Sequence, residues 1–507
     1  MIKNKTTGIV KAVIVAITLI LQVILLFILV MLFREKVTWA YIAIEVLSVI
    51  TIFALVNDTT SYNYFWIIIV LALPVVGFCL YGMWGRKRKN SRSNRRFRAV
   101  EQKGCAYKVQ DPKVLDEMVE RHKDRAQISK YLISENFPLY KNTDVRYYEV
   151  GEKKFEALFA DMEKAEKFIF LEYFIVSEGQ IWERTKEILA RKAAEKLEIR
   201  LLVDDFGCLI IDSDEIRHEM AEIGVRVSVF APITKDVSRL TFNYRNHQKI
   251  AIIDGNIGYT GGINLADEYA NIYERFGHWK DTAVRLEGDG VWGLTEIFLE
   301  MWEFSKENED LDYDRYRPTI SVEADGFVQP MADGPANNPD NPIEETYIHL
   351  INKAKDYIYF TTPYLVLDNT VLDALCRAAR SGVDVRIITP RKYDKWYVYM
   401  VTVYNYGKLI QNGIKIYEYV PGFIHAKNVI SDDECAVCGS INMDYRSFYL
   451  HYECGVLMTD VPAVMDIKQD FLDTQSISER ISYDMWKKRP FWQKVIQWVL
   501  RIFSPML

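Results

Sequence analysis

Histidine is scarce in this sequence, seven residues in 507, and the seven do not gather with carboxylates into the ligand clusters that hold a catalytic metal. Cysteine is equally scarce. Seven of them, an odd number scattered along the chain, supply no disulfide framework and fit a reducing compartment. Cys435 and Cys438 form a CxxC, but no second pair or nearby histidine completes a ligand set, so they read as strand residues. Positive charge is not in excess either. A formal net charge of −6 argues against a surface that coats nucleic acid.

Apolar residues are plentiful, and they are unevenly spread. Ala12 to Phe33 is a run of 22 residues without a charge, which as a helix extends about 33 Å and crosses a bilayer. Thr38 to Val56 is a second candidate span with Glu45 inside it, and Tyr62 to Trp84 is a third, uncharged one. No small-residue cleavage site precedes Arg34, which argues against a removed secretion signal. Two or three spans are expected. The stretch "GRKRKNSRSNRRFR" that follows carries eight Lys or Arg and no acid, so the remainder of the chain is expected on the cytoplasmic side of a cell membrane, near anionic lipid.

The informative pattern occurs twice. In "NHQKIAIIDGNIGYTGGIN" (246–264), His247, Lys249 and Asp254 form HxKxxxxD, and after six intervening residues come Gly261, Gly262 and Asn264. In "HAKNVISDDECAVCGSIN" (425–442), His425, Lys427 and Asp432 repeat the spacing, followed by Gly439, Ser440 and Asn442. The flanks repeat too: "EIRLLVDD" parallels "DVRIITPR", and "IGVRVSVFAP" parallels "NGIKIYEYVP". Strands alternating with helices point to two copies of one α/β module around a pseudo-twofold axis. The organisation expected is an anchor over 1–98, modules over 99–315 and 316–483, and an amphipathic tail over 484–507. The first module carries 11 extra residues between Pro232 and His247, including Lys235, Arg239, Phe242, Tyr244 and Arg245. They read as a surface loop or a substrate entry.

Two imidazoles and two ammonium groups facing one another, with Asn264, Asn442 and Ser440 as further donors, suit a phosphate whose oxygens gain negative charge during displacement. One neutral imidazole attacks phosphorus; the other, protonated, serves the leaving oxygen. Each needs its second nitrogen held by an acceptor. Asp281 is expected to orient His247, and Glu453 to orient His425. Asp254 and Asp432 complete the motifs and count with the catalytic set, although the residues after them suggest turns. His122, His218, His278, His349 and His451 read as core residues. A metal is disfavoured because each lysine would repel it.

Paired HxKxxxxD motifs, each followed by G[GS]xN, resemble the phospholipase D superfamily. Together with "WKDTAVRLEG", "TTPYLVLD", "GSINMDYRSF" and the terminal "SPML", they are similar to its bacterial cardiolipin synthase family. The resemblance implies that phosphatidyl passes from one phosphatidylglycerol to another without cofactor or metal, with His247 as nucleophile and His425 as acid and base. Pseudo-symmetry leaves the reverse roles open, and another acceptor alcohol or water remains the alternative. Gln248 stands where relatives often carry Arg, which would weaken a peripheral phosphate contact. Nothing in the sequence indicates the oligomeric state. The segment "FWQKVIQWVLRIF" (491–503) is expected as an amphipathic helix, either packed on the core or lying in the headgroup layer.

Overall fold

A computed structural model describes residues 24, 27–28, 31–32, 38–56, 61–82, 92–208, 213–232, 244–306, 309–337 and 340–506. Two mixed sheets dominate it. The first runs, edge to edge, Thr143–Tyr148, Ala283–Gly288, Ile257–Gly261, Ile250–Ile253, Phe168–Tyr173, Glu198–Asp204 and Arg226–Phe230. The second repeats that order with Phe327–Asp333, His451–Thr459, Cys435–Gly439, Asn428–Ser431, Tyr357–Thr361, Asp384–Pro390 and Lys415–Tyr419, then adds Ser478–Ile481. The expected duplication of an α/β module is therefore present strand for strand.

Sequence explains why these strands lie inside. Phe168–Tyr173 (FIFLEY) and Cys435–Gly439 (CAVCG) are buried along their whole length, as strands covered on both faces must be. The outer face of each sheet packs on helices. Asn369–Arg380 illustrates this: Asp368 caps it by accepting from the Val371 N–H at 2.9 Å, Leu372 and Leu375 are buried, and Gly382, at φ +99°, ends the turn after it. The inner faces share one cluster, in which Val284 and Leu286 of the first sheet and Val456 and Met458 of the second pack with Ile297 and Phe298 of helix Val291–Ser305. Two modules thus bury one common interior.

Two short parallel pairings cross between modules. Arg245–Asn246 joins the second sheet beside His451 and Tyr452, and Gly422–Ile424 pairs with His278–Lys280 of the first module. Each HxK motif therefore begins on a strand bonded to the opposite half.

Near the start of the chain, Thr38–Val56 is helical, whereas the third apolar run is divided at Pro74 into Ser61–Ala72 and Pro74–Leu80. Among the described residues no helix is long and apolar enough to cross a membrane, and most of the first candidate, 12–33, lies outside them. The tail forms helix Phe491–Ile502 with its apolar face outward: Trp492 and Trp498 are about 60 % exposed while Gln497 is fully buried.

Candidate active site

The crossed strands fix the histidines. Arg245 is in register with His451 and Asn246 with Tyr452, so His247 falls beside Glu453, and its N–H donates to the Tyr452 carbonyl at 2.9 Å. In the other half Ile424 is in register with Lys280, which puts His425 beside Asp281, and the His425 N–H donates to the Lys280 carbonyl at 2.7 Å. The side chains follow. His247 Nδ1 lies 3.0 Å from both Glu453 oxygens, and His425 Nδ1 lies 2.6 Å from Asp281 Oδ2. This corrects the expected pairing. Each carboxylate orients the histidine of the other module, because the backbone before each histidine is bonded across the interface.

Both rings line one cavity of ≈ 640 Å³, together with Asn264, Asn442, Tyr364, Lys395 and Arg446. Lys249 and Lys427 are buried and bend back so that each Nζ donates to the carbonyl of the histidine two residues before it. Burial, and then the two lysines, hold both imidazoles well below the usual histidine range, which favours their neutral form until an anion adds opposite charge. Burial also pulls Lys249 down to about 7 and Lys427 to about 8, and pushes Asp281 up to about 6. A phosphate anion reverses the trend for the lysines by adding opposite charge.

The G[GS]xN segments support the carboxylates. Ser440 Oγ donates to Glu453 Oε2 at 2.5 Å and Ser447 Oγ to Oε1 at 2.7 Å. On the other side a Cβ at Gly262 would lie 2.1 Å from Asp281 Oδ1, so the shorter acid needs glycine there. Asn264 spans the pocket wall, accepting from the Ile175 N–H at 3.0 Å and donating to Tyr269 at 2.7 Å, while Asn442 Oδ1 is buried without a protein partner.

Further sequence readings meet the structure at single residues. Asp254 and Asp432 are not in the cavity. Each sits at φ +55° in a turn and accepts from three successive backbone N–H groups, of 166–168 and 355–357 respectively, tying a hairpin to the start of a central strand. This geometry fits their reading as turn-formers and sets both carboxylates apart from the residues that line the cavity. His451 is no plain core residue: its ring is 5.4 Å from that of His247 and Arg446 Nη1 is 3.3 Å from its Nε2. His218 is exposed on the outer side of its helix. Gln248 is buried and donates to the Glu453 carbonyl at 3.2 Å.

Reasoning from the motifs passed over Arg446, His451 and the pair Asp394 and Lys395, all on the cavity wall. Arg446 stands within "MDYRSF", just after the second motif; Asp394 and Lys395, in "KYDKWY", carry no repeat to mark them. Of the inserted residues, 233–243 lie outside those described, and Arg245 lines the cavity. His247, His451 and Glu453 bring ligand-type atoms within 4.8 Å of one another. The Glu453 oxygens already accept from His247, Ser440 and Ser447, and Lys249 stands beside them, which opposes a cation.

Against known families, residues 158–276 and 347–474 match the cardiolipin synthase, PLD-like domain, and 46–86 match a phospholipase D-nuclease N-terminal segment. A cardiolipin synthase from Listeria monocytogenes is 32 % identical over 476 residues, 91 % of this chain and 96 % of that one. The chain belongs to the cardiolipin synthase family of phospholipase D-like proteins. The Geobacillus kaustophilus cardiolipin synthase is also 32 % identical, over 91 % of this chain and 92 % of its own, and an uncharacterized protein from Streptococcus mutans is 40 % identical over 87 % and 96 %. A solved phosphatidylserine synthase from Haemophilus influenzae Rd KW20 shares the fold, with a TM-score of 0.57 at 13 % identity, over 75 % of this chain and 97 % of that one.

Proposed function

We propose that this protein moves a phosphatidyl group from one phosphatidylglycerol to the hydroxyl of a second, releasing glycerol and forming cardiolipin. The observation that carries this reading is the single cavity lined by both histidines, each held through Nδ1 by a carboxylate, with a buried lysine beside each. With Nδ1–H donating to Glu453, His247 presents the lone pair of Nε2 to phosphorus. The P–N bond forms as the P–O bond to glycerol breaks, and His425, which takes up a proton as the charge of the phosphate anion favours its imidazolium form, gives the Nε2 proton to the leaving oxygen. The acceptor hydroxyl then gives its proton to His425, its oxygen bonds phosphorus, and His247 is released. Lys249, Lys427, Asn264 and Asn442 hold the phosphate oxygens through both displacements, where charge is greatest. Ser440 acts one step removed, by fixing Glu453.

For the membrane, we read the apolar segments before residue 84 as the anchor and the basic run after them as cytoplasmic, which puts catalysis on the inner face. A reporter fused after Leu507 is then protected in intact cells; digestion of the fused domain by added protease overturns the orientation.

Lipid mass analysis of cells expressing the protein, with His425→Ala alongside, tests the reaction. Cardiolipin accumulates only with the unaltered chain. Phosphatidic acid in its place would mean that water is the acceptor and would overturn the transferase reading.

A further inference from the structure

Helix Phe491–Ile502 is attached by its polar side. Gln497 is fully buried and accepts from Arg489, whose guanidinium stacks 4.0 Å over the Trp486 ring. The Trp486 indole N–H donates to the Val403 carbonyl at 2.7 Å, and Gly407 makes room for its ring, since a Cβ there would lie 2.2 Å from it. Arg501 donates to the Leu367 carbonyl at 3.3 Å, and Leu500 packs on Val398, Val401 and Tyr445. Val398 is also a wall of the catalytic cavity. The tail is therefore fastened to the back of that wall.

What it turns outward is apolar and aromatic. Phe491 is 82 % exposed, Trp492 60 % and Trp498 62 %. Trp396, also half exposed, begins the helix against which the tail packs, directly beside Lys395 and Tyr397 of the cavity. Lys487, Lys488 and Lys494 are exposed around this face. At its far end Phe503 meets Phe65 of helix Ser61–Ala72, ring centroids 5.6 Å apart, so the surface is continuous with the apolar N-terminal helices. A face of tryptophans with basic flanks, continuous with apolar helices at one end and a lipid-substrate cavity at the other, matches the chemistry of an anionic headgroup layer.

We propose that helix Phe491–Ile502 and Trp396 form a docking surface for anionic lipid, which lies in the headgroup layer and sets the mouth of the cavity on the bilayer. The inference rests on the transferase reading, deepening it from what is transferred to how the lipid is reached. The tail would then be a positioning element, and its variants would change access rather than chemistry.

The full chain in vesicles of phosphatidylglycerol and phosphatidylcholine provides the test, in two arms. With long-chain vesicle substrate, Trp492→Ser with Trp498→Ser, and separately Lys487→Glu with Lys488→Glu and Lys494→Glu, should lower cardiolipin formation about tenfold. With short-chain, monomeric phosphatidylglycerol the same variants should stay within about twofold of the unaltered chain, because the cavity is untouched. Brominated lipids should quench Trp498 fluorescence, measured as the difference between the unaltered chain and Trp498→Phe. Equal loss in both arms, or no quenching, overturns the proposal; a cross-link between copies through a Trp498→Cys substitution would assign the face to a second chain instead. Absence of product from the unaltered chain in both arms would strike the transferase reading itself.

Discussion

The two modules share strand order, yet their histidine supports differ in a coupled way. His247 rests on Glu453, whose longer side chain accepts from Ser440 and Ser447, while His425 rests on Asp281, whose shorter one occupies the space that a side chain at Gly262 would need. The acid and the G[GS] residue change together. One half braces its histidine through hydroxyl donors and the other through close backbone approach, so the duplicated halves are equivalent in topology and unequal in chemistry.

Breaking each side in turn is the most forceful way to separate them. His247→Ala and His425→Ala should each lower cardiolipin formation by roughly 10⁴-fold or more, since each removes a group that acts as a unit with the rest. Only one should keep a covalent step. With labelled phosphatidylglycerol and an alkaline quench, His425→Ala should carry label on His247; label on His425 in the His247→Ala protein, with none on His247 in the other, would exchange the roles.

The crossed supports give the next effect. Glu453→Gln should slow the enzyme about 10²- to 10⁴-fold by spoiling His247, and Asp281→Asn should do the same through His425. Their separation lies in the adduct: Glu453→Gln should reduce its formation, and Asp281→Asn should slow its discharge to acceptor. If Asp281→Asn impaired only labelling of His247, the crossed arrangement would be wrong in solution.

The coupling between acid and G[GS] residue can be tested by exchange. Gly262→Ala, with its Cβ 2.1 Å from Asp281 Oδ1, should displace that carboxylate and cost the enzyme about 10²-fold or more in rate. Ser440→Ala removes one of two hydroxyl donors to Glu453 and should cost only about 1.5 kcal/mol, roughly tenfold in kcat/KM, since Ser447 still holds the other oxygen. Equal effects would remove the asymmetry.

Acidity should report the same difference. With Lys249 held at about 7 and Lys427 at about 8, raising the pH discharges them, so kcat/KM should fall by more than about 10²-fold between pH 7 and pH 9. The kcat profile should persist to higher pH, since bound phosphate keeps the lysines charged. On the acid side, Asp281 at about 6 is neutralised as pH falls and loses its grip on His425, so kcat/KM should fall below that point. Asp281→Asn should erase that acid limb, and an unchanged limb would assign it elsewhere.

The smallest effect is expected at the turn carboxylates. Asp254→Asn and Asp432→Asn should each cost about 1–3 kcal/mol of stability, measured by denaturant unfolding, with activity per folded molecule retained. Asp432 should cost more, because it also pairs with buried Arg125, whereas a selective loss of kcat at either would restore it to the catalytic set.

Much was legible in the sequence because repetition marks it. Paired HxKxxxxD motifs, the parallel apolar strands and the trailing G[GS]xN announced a duplicated α/β module, and alternation of strand and helix fixes local structure through burial that neighbouring residues share. Asp254 and Asp432 illustrate the limit, since a motif position tells that a residue is needed and not whether it touches substrate. Asp394, Lys395 and His451 reached the cavity with no repeat to single them out. The tail's amphipathic pattern was readable, but not that its polar edge would face inward at Gln497. Above all, sequence distance suggested that His247 takes Asp281 and His425 takes Glu453. Tertiary structure decided otherwise, because Arg245–Asn246 and Gly422–Ile424 form their backbone hydrogen bonds with the opposite module, and a carboxylate can reach only the imidazole that this register sets beside it.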